Sequence, residues 1–284
     1  MAPAGHGSPE SGSGSRRWTK KFRNTGGDPL KLHRFILALL FIAIFSHNAN
    51  AEPEGESMLA GFSAGLGGTI LTNEYKEMDG RQTILPLLGY EGDYFYLRGV
   101  AGGFHFFKNE FLELNAQLSY LPQHFYAGDS DSWAMRQLDN RYSTLMGGFN
   151  GRLMTEFGIL NATFETDLLG YNNGIRIDAS YVYPIQLGMV SLAPGVGFQW
   201  TDANYNRYYY GVDHSEARDT GLEYYDPDSS FSPYVQLGAR INFNENWSVM
   251  GSCRALFLNQ EIYDSPMVDC SEKYAFSLGA MYSF

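Results

Sequence analysis

Beyond its first fifty residues the sequence has no run of about 18 apolar residues, so no membrane-crossing helix is expected there. Cysteine is scarce: Cys253 and Cys270 are the only two, and neither has the neighbours that a metal site requires. No glycine-rich phosphate loop and no calcium-loop spacing occur, so no cofactor and no metal are expected. Cationic side chains are also in deficit, with 20 Lys and Arg against 31 Asp and Glu. Together these shortages exclude a helical membrane protein, a zinc module and a nucleotide-binding domain.

What is abundant is aromatic and small. Tyr and Phe each occur 20 times and Gly 32 times, yet the mean hydropathy is −0.27. An aromatic load on a polar average fits a membrane β-barrel, whose lipid-facing band is apolar and whose lumen is polar.

The N-terminus reads as an export signal. Lys31, His33 and Arg34 supply positive charge, Phe35 to Phe45 form a short apolar run, and Ala49, Asn50 and Ala51 give a small-x-small cleavage pattern. Cleavage after Ala51 is expected, leaving residues 52–284 as one barrel domain. Residues 1–29, rich in Gly and Ser, fit no part of such a signal; a start at Leu30 gives a peptide of ordinary length. Removing residues 1–51 takes away seven Lys and Arg and two Asp and Glu, which leaves 13 against 29 and a net charge of −16. Nucleic acid is thereby excluded as a partner.

After Glu52 the chain repeats segments of about ten residues with period-2 alternation. Leu112, Leu114, Ala116, Leu118 and Tyr120 alternate with Glu113, Asn115, Gln117 and Ser119. Leu160, Ala162, Phe164 and Leu168 alternate with Asn161, Thr163, Glu165 and Asp167. Eleven segments are legible, near 58–70, 81–90, 94–107, 111–122, 141–156, 159–170, 174–186, 189–201, 231–243, 246–257 and 273–284. Single-chain bacterial barrels have an even number. A tight turn within Gly99 to Gly103 splits 94–107 and gives twelve; ten is the alternative. The expected fold is therefore an all-β, closed antiparallel transmembrane barrel.

Turns near 108–110, 157–158, 187–188 and 244–246 are short, whereas 124–140, 202–230 and 259–272 are long. That asymmetry places short turns in the periplasm and long loops outside. The last strand alternates Tyr274, Phe276, Leu278, Ala280, Tyr282 and Phe284 to the terminus, and its Tyr282 and Phe284 resemble the signal read by the barrel-assembly machinery. The expected location is the outer membrane of a Gram-negative bacterium, in contact with lipid and lipopolysaccharide.

Inward parity falls on Arg98, Arg152, Arg176, Arg240 and Arg254 and on Glu113, Glu165, Asp167 and Asp178. Charges of both signs in a narrow lumen are expected to pair across it, because an unpaired one loses hydration. Cys253 and Cys270 share a face on adjacent strands of an exported protein, so a disulfide is expected, with two free thiols as the alternative. His214 and Ser215 lie beside Glu216 and Asp219, and His124 lies near Asp129 and Asp131. Adjacency in a polar loop does not build a catalytic geometry, and these read as rim residues of a protein that is not an enzyme.

Several phrases carry a family resemblance. They are Asn206 to Val212 with its Tyr208, Tyr210 and Gly211, then Ser215 to Arg218, Gly221 and Leu222, and Tyr225 and Asp226. Asn246 to Gly251 follow, and then Asp264 to Val268 with Pro266, ahead of the final strand. Ile84 to Leu88 and Tyr94 to Gly99 add an N-terminal part. In this order they resemble the MipA/OmpV family over essentially all of 58–284. The resemblance implies an envelope scaffold without catalysis, connecting a lytic murein transglycosylase to a penicillin-binding protein. The alternatives are a narrow channel for small solutes or antimicrobials and a surface adhesin using the 202–230 loop. The loop residues Tyr208, Tyr210, Gly211, Asp226, Asp264 and Pro266 are expected to fold that loop over the barrel mouth.

Overall fold

The computed structural model describes residues 61–284; the expected cleavage site lies outside the described residues. Strands form where apolar and polar residues alternate and end at Gly, Pro and Asn. The first six are β1 (Phe62–Leu71), β2 (Arg81–Glu91), β3 (Phe95–Arg98), β4 (Ala101–Lys108), β5 (Leu112–Leu121) and β6 (Thr144–Thr155). They are followed by β7 (Gly158–Asp167), β8 (Ile175–Val182, resuming as Ile185–Leu187), β9 (Val190–Thr201), β10 (Ser230–Asn242), β11 (Trp247–Phe257) and β12 (Glu272–Ser283). The break in β8 falls at Pro184, which has no N–H to give to a ladder.

Every strand pairs antiparallel with the next, and β12 returns to β1 in a register running from Ser63 opposite Ser283 to Leu71 opposite Ala275. The barrel is closed with twelve strands. The split of the 94–107 segment occurs at Gly99, whose φ of +65° suits glycine.

Burial is inverted relative to a soluble protein. On β7, Phe164 is 43% exposed while its neighbour Glu165 is 1% exposed. Phe149 and Leu278, at 61% and 66%, belong to the same outward band. Outward side chains meet lipid, and inward ones line the lumen.

The two ends differ. At the end holding the C-terminus, turns run from two to four residues, for example Glu156 and Phe157 or Phe243 to Asn246. At the mouth, four long connections occupy 72–80, 122–143, 202–229 and 258–271. They carry helices α1 (Ala203–Tyr210), α2 (His214–Thr220) and α3 (Gln260–Tyr263). The β3–β4 hairpin is the exception: only Gly99 and Val100 join its strands, so the wall there stops low.

The expected disulfide is not formed. Cys253 stands opposite Phe276, six residues beyond Cys270 on the chain, and both thiols are free. At about 3.3 Å per residue the two lie about 20 Å apart, whereas a bridge needs Cα atoms within about 7 Å. Parity applies to Cys253 on β11, but Cys270 precedes β12, which begins at Glu272, so the two share neither a face nor a height along the wall. Cys270 instead sits in the mouth against the carbonyls of Asn73 and Glu74, where burial and then the Glu74 and Asp269 carboxylates push its thiol above its usual value.

The closing seam offers a test of the wall. A Cβ at Gly65 on β1 would fall 1.9 Å from the Ala280 carbonyl oxygen on β12. Gly65→Val is expected to destabilise the seam by about 1–3 kcal/mol, the usual scale of overpacking. The check is the fraction of compact, SDS-resistant barrel on an unheated gel, which should fall, whereas Gly99→Ala in the open turn should leave the seam intact.

Candidate functional site

The lumen and the mouth together form the part of the molecule with chemistry in it. Low in the lumen, Arg98 makes ion pairs to Glu91 at 3.0 Å and to Glu113 at 3.2 Å. Lys108 reaches Glu91 at 2.9 Å, and Arg152 approaches Glu113 at 3.9 Å. His105 hydrogen-bonds Asn115 at 2.6 Å through Nδ1, and its Nε2 stands 3.4 Å from Glu91. Across the barrel, Glu165 accepts from Gln117 and Ser119 and lies 3.6 Å from Arg176. Arg254 lies 3.5 Å from Asp178 and packs 4.0 Å over the Tyr234 ring, and the Tyr234 hydroxyl donates to Asp178 at 2.8 Å. Cross-linked charges fill this cross-section because each would otherwise be a desolvated ion.

Two of the expected lumen charges stand outside that network. Asp167 at the top of β7 has no cationic partner among the described residues; it accepts from the Thr144 hydroxyl at 2.5 Å and from the backbone N–H groups of Leu169, Asn172 and Asn173, and so caps the 168–174 turn. Arg240 is exposed near the short-turn end of β10, with no carboxylate within ion-pair distance among the described residues. Parity put both on the right face. Height decided that one became a turn cap and the other a solvated side chain.

Above the lumen the four long connections close over the mouth around an apolar cluster that includes Tyr75, Phe125, Met135, Tyr209, Val212 and Met267. Asp202 caps α1 by accepting from the Tyr205 N–H, and Asp213 caps α2 in a reciprocal capping box with Glu216. The α1 helix then aims Tyr205, Tyr209 and Tyr210 into the cluster. Burial raises the hydroxyls of Tyr205, Tyr209 and Tyr210 well above their usual range, and Tyr208 is pushed up to about 12. All four remain neutral. The Tyr208 hydroxyl accepts from the Tyr142 N–H at 2.8 Å, and Tyr209 donates to the Tyr142 carbonyl at 3.0 Å.

Two polar links tie the cap together. Arg141 donates to Glu216 at 2.7 Å with both side chains almost fully buried, and to the carbonyl of Gly211 at 3.4 Å. Glu74, 1% exposed, accepts from Gln123 at 2.5 Å, from Lys273 of β12 at 3.0 Å and from Tyr210 at 3.3 Å. Burial opposes ionisation of Glu74, but the Lys273 ammonium and the Gln123 amide override it and hold the carboxyl below its usual 4.5. Of the other loop residues read from sequence, Asp226 pairs with Arg207 on the surface, while Asp264 is exposed beside Ser265, whose hydroxyl donates to the Tyr210 carbonyl at 2.7 Å. Pro266 turns the chain between buried Ser265 and Met267. The cap is thus woven from four loops rather than folded from one.

The His214 and Ser215 pair builds no catalytic arrangement: His214 stacks 4.0 Å from Tyr224, and the Ser215 hydroxyl donates to Asp213. Under the cap lies a cavity of about 200 Å³ bordered by Glu74, Arg81, Gln123, Arg176, Arg254 and Lys273. Glu74 and Arg141 were missed by sequence reasoning and Glu216 was read only as a neighbour of His214, since all three lie in loops where period 2 does not apply. The only available signal for Glu216 was its place three residues after Asp213, the capping-box spacing.

At the short-turn end, Tyr282 and Phe284 meet edge to face at 5.0 Å, and Tyr282 meets Trp247 edge to face at 5.2 Å. The Phe284 N–H donates to the Phe62 carbonyl at 3.0 Å, which pins the chain end to β1.

Comparison with known proteins gives the following. The sequence model of the family described as "MltA-interacting protein MipA" matches residues 64–284. The chain is similar to the MltA-interacting protein of Escherichia coli (strain K12), with 38% identity over 248 residues covering 87% of this chain and 98% of that one. It is similar to outer membrane protein OmpV of Vibrio cholerae, with 27% identity over 226 residues, 78% of this chain and 86% of that one. Among solved structures, an outer membrane channel from Pseudomonas putida F1 aligns with a TM-score of 0.41 at 14% identity, covering 82% of this chain and all of that one.

Two outcomes are expected for the cap. Arg141→Met leaves Glu216 buried without its partner, a change that typically costs about 3–5 kcal/mol; hydrogen exchange should rise in 122–143 and 202–229 while the strands stay protected. Because the Glu74 carboxyl is depressed in the folded state, its stabilisation is fully present above pH 4.5 and is lost as pH falls below that value. Rate-corrected exchange of residues 72–80 should therefore accelerate on acidification in the native protein and show much less pH dependence in Glu74→Gln.

Proposed function

The chain belongs to the MltA-interacting protein family and is an integral barrel of the outer membrane, and from this membership we propose that it is a non-catalytic docking protein. In this reading it holds a lytic murein transglycosylase, and through it a penicillin-binding protein, at the periplasmic end of the barrel. The observation that carries the proposal is the family match over residues 64–284, the whole barrel and not one loop. The ion-paired lumen and the woven cap also favour contact over transport, since neither leaves a wide aqueous path.

The surface left for a partner is the periplasmic rim. Its short turns present Asp93, Glu110, Glu156 and Glu245, all exposed and without cationic partners among the described residues. Beside them stand Tyr94, Phe111, Phe157 and Phe243, between 60% and 78% exposed. Alternating carboxylates and aromatic rings suit a basic partner surface with apolar contacts between its cations. The Tyr282 and Phe284 end of β12 is the segment we assign to recognition by the barrel-assembly machinery, and the lipid-facing band contacts lipid and lipopolysaccharide.

Charge reversal of Glu110, Glu156 and Glu245 to Lys is expected to weaken capture of the transglycosylase about tenfold at low salt, with less effect at high salt. The check is co-purification of a membrane-detached transglycosylase on the immobilised barrel, alongside the native rim. Capture that is unchanged by the reversal, with the barrel folded, would sink the rim as the docking surface.

A further inference from the structure

In the closed wall one strand has a free edge. β1 and β2 pair along their whole length, and the bond from the Glu91 N–H to the Gly61 carbonyl sets the odd residues of β2 toward β1. The even residues point the other way, toward β3. There the pairing reaches only from Glu91 to Gly89, and its last bond runs from the Gly99 N–H to the Leu88 carbonyl. Above that bond, β2 has no neighbour on its β3 side among the described residues. The N–H and C=O groups of Gln82 and Ile84, the C=O of Pro86 and the N–H of Leu88 have no partner among the described residues. On the other bank, the Tyr120 N–H reaches the Val100 carbonyl, and the next residue of that parity, Pro122, has no N–H.

The result is a window in the barrel wall. Its sill is the Gly99 and Val100 turn, where β2 and β5 are three strand spacings, about 14 Å, apart. Its lintel is Arg81, which donates to the His124 carbonyl at 2.7 Å and meets His124 Nδ1 at 3.1 Å. The frame is apolar: Ile84 is 76% exposed, Val100 53% and Leu118 50%. Open strand edges are not stable facing hydrocarbon; they persist where they line a wet cavity or are covered.

Behind the window the lumen wall changes character. The inward residues of β2 here are Leu85 and Leu87. Leu87 Cδ1 lies 2.9 and 2.5 Å from where a Cβ would stand on Gly67 and Gly279, so these glycines make room for it. Leu85 is 37% exposed although it points inward. The 200 Å³ cavity under the cap touches both banks, at Arg81 and Pro122, and also reaches Arg176. Among the described residues Arg81 has no carboxylate partner and the buried Arg176 Nε donates to nothing, while Arg176 Nη2 lies 3.6 Å from Glu165. At about 30 Å³ per water the cavity holds about seven waters, enough for a small head group.

We propose that this window admits an acyl chain carrying an anionic head from the membrane into the lumen. The head group occupies the cavity at Arg81 and Arg176, and the chain lies along Leu85 and Leu87 and leaves past Ile84. A fatty acid and an acidic phospholipid share that chemistry. The site lies far above the periplasmic rim and does not depend on the docking reading.

The test uses the full chain, reconstituted in phosphatidylcholine vesicles, with its native tryptophans replaced by Phe. Single tryptophans are placed at Leu85 behind the window, at Leu278 on the lipid face, and at Gln236 on another part of the lumen wall. Quenchers are dibromostearate, brominated phosphatidylglycerol and, as uncharged-head references, dibromostearyl alcohol and brominated phosphatidylcholine, each at the same low fraction. The expected result is quenching at position 85 by one or both anionic species at least twofold above their references, no quenching at 236, and no such preference at 278. Which anion quenches identifies the source. Adding Arg81→Gln to the Leu85 probe should abolish the preference while the barrel stays SDS-resistant. No quenching at 85 while 278 is quenched, or equal quenching at 85 by charged and uncharged species, would overturn the proposal.

Discussion

Everything in this structure depends on one constraint: a backbone N–H or C=O facing hydrocarbon must find its partner in the protein. Antiparallel pairing from β1 round to β12 meets that demand for nearly the whole wall, and the seam between Gly65 and Ala280 closes it. The same constraint gives meaning to the one stretch where it is not met. Between Gln82 and Leu88 the sheet ends early because the β3–β4 hairpin is only four and eight residues long. Pro86 removes an N–H that would otherwise point into the gap, in keeping with proline's confinement to strand edges.

Turning the hydrophobic face outward leaves the lumen to polar side chains, and a narrow lumen forces them together. Glu113 and Glu165 are almost completely buried, Glu113 between Arg98 and Arg152 and Glu165 held by Gln117, Ser119 and Arg176, so the cross-section is a network rather than a ring of loose charges. Removing one member leaves a buried ion, and for that reason the network is stiff. The cap repeats this arrangement at the mouth, with Arg141 to Glu216 and Lys273 to Glu74 set inside an apolar cluster of tyrosines.

Much of this was legible in the sequence. Period 2 identified the strands and their inward faces, and the glycine at 99 gave the twelfth strand. What period 2 cannot carry is height along the wall. That is why Cys253 on the wall and Cys270 in the mouth do not meet, and why Asp167 and Arg240 serve as a turn cap and a solvated side chain instead of lumen ion pairs. The family phrases around Tyr208 and Tyr210 pointed to the mouth, but not to the partners recruited from 72–80 and 122–143. Those contacts are fixed by tertiary packing between segments distant in sequence, such as the bond from Tyr75 to the Tyr209 carbonyl. Pro86 and Pro122 marked both banks of the window in plain view, and only the register of β2 against β3 shows what they border.

The central claim of the proposed reading is that the lumen network and the cap close the barrel's axis to solutes. The most direct measurement is planar-bilayer conductance of the refolded, SDS-resistant protein. The account predicts a silent bilayer, with no reproducible single-channel steps across voltages of either sign. Steady steps of uniform size from the native protein would contradict it and make a solute channel the better description.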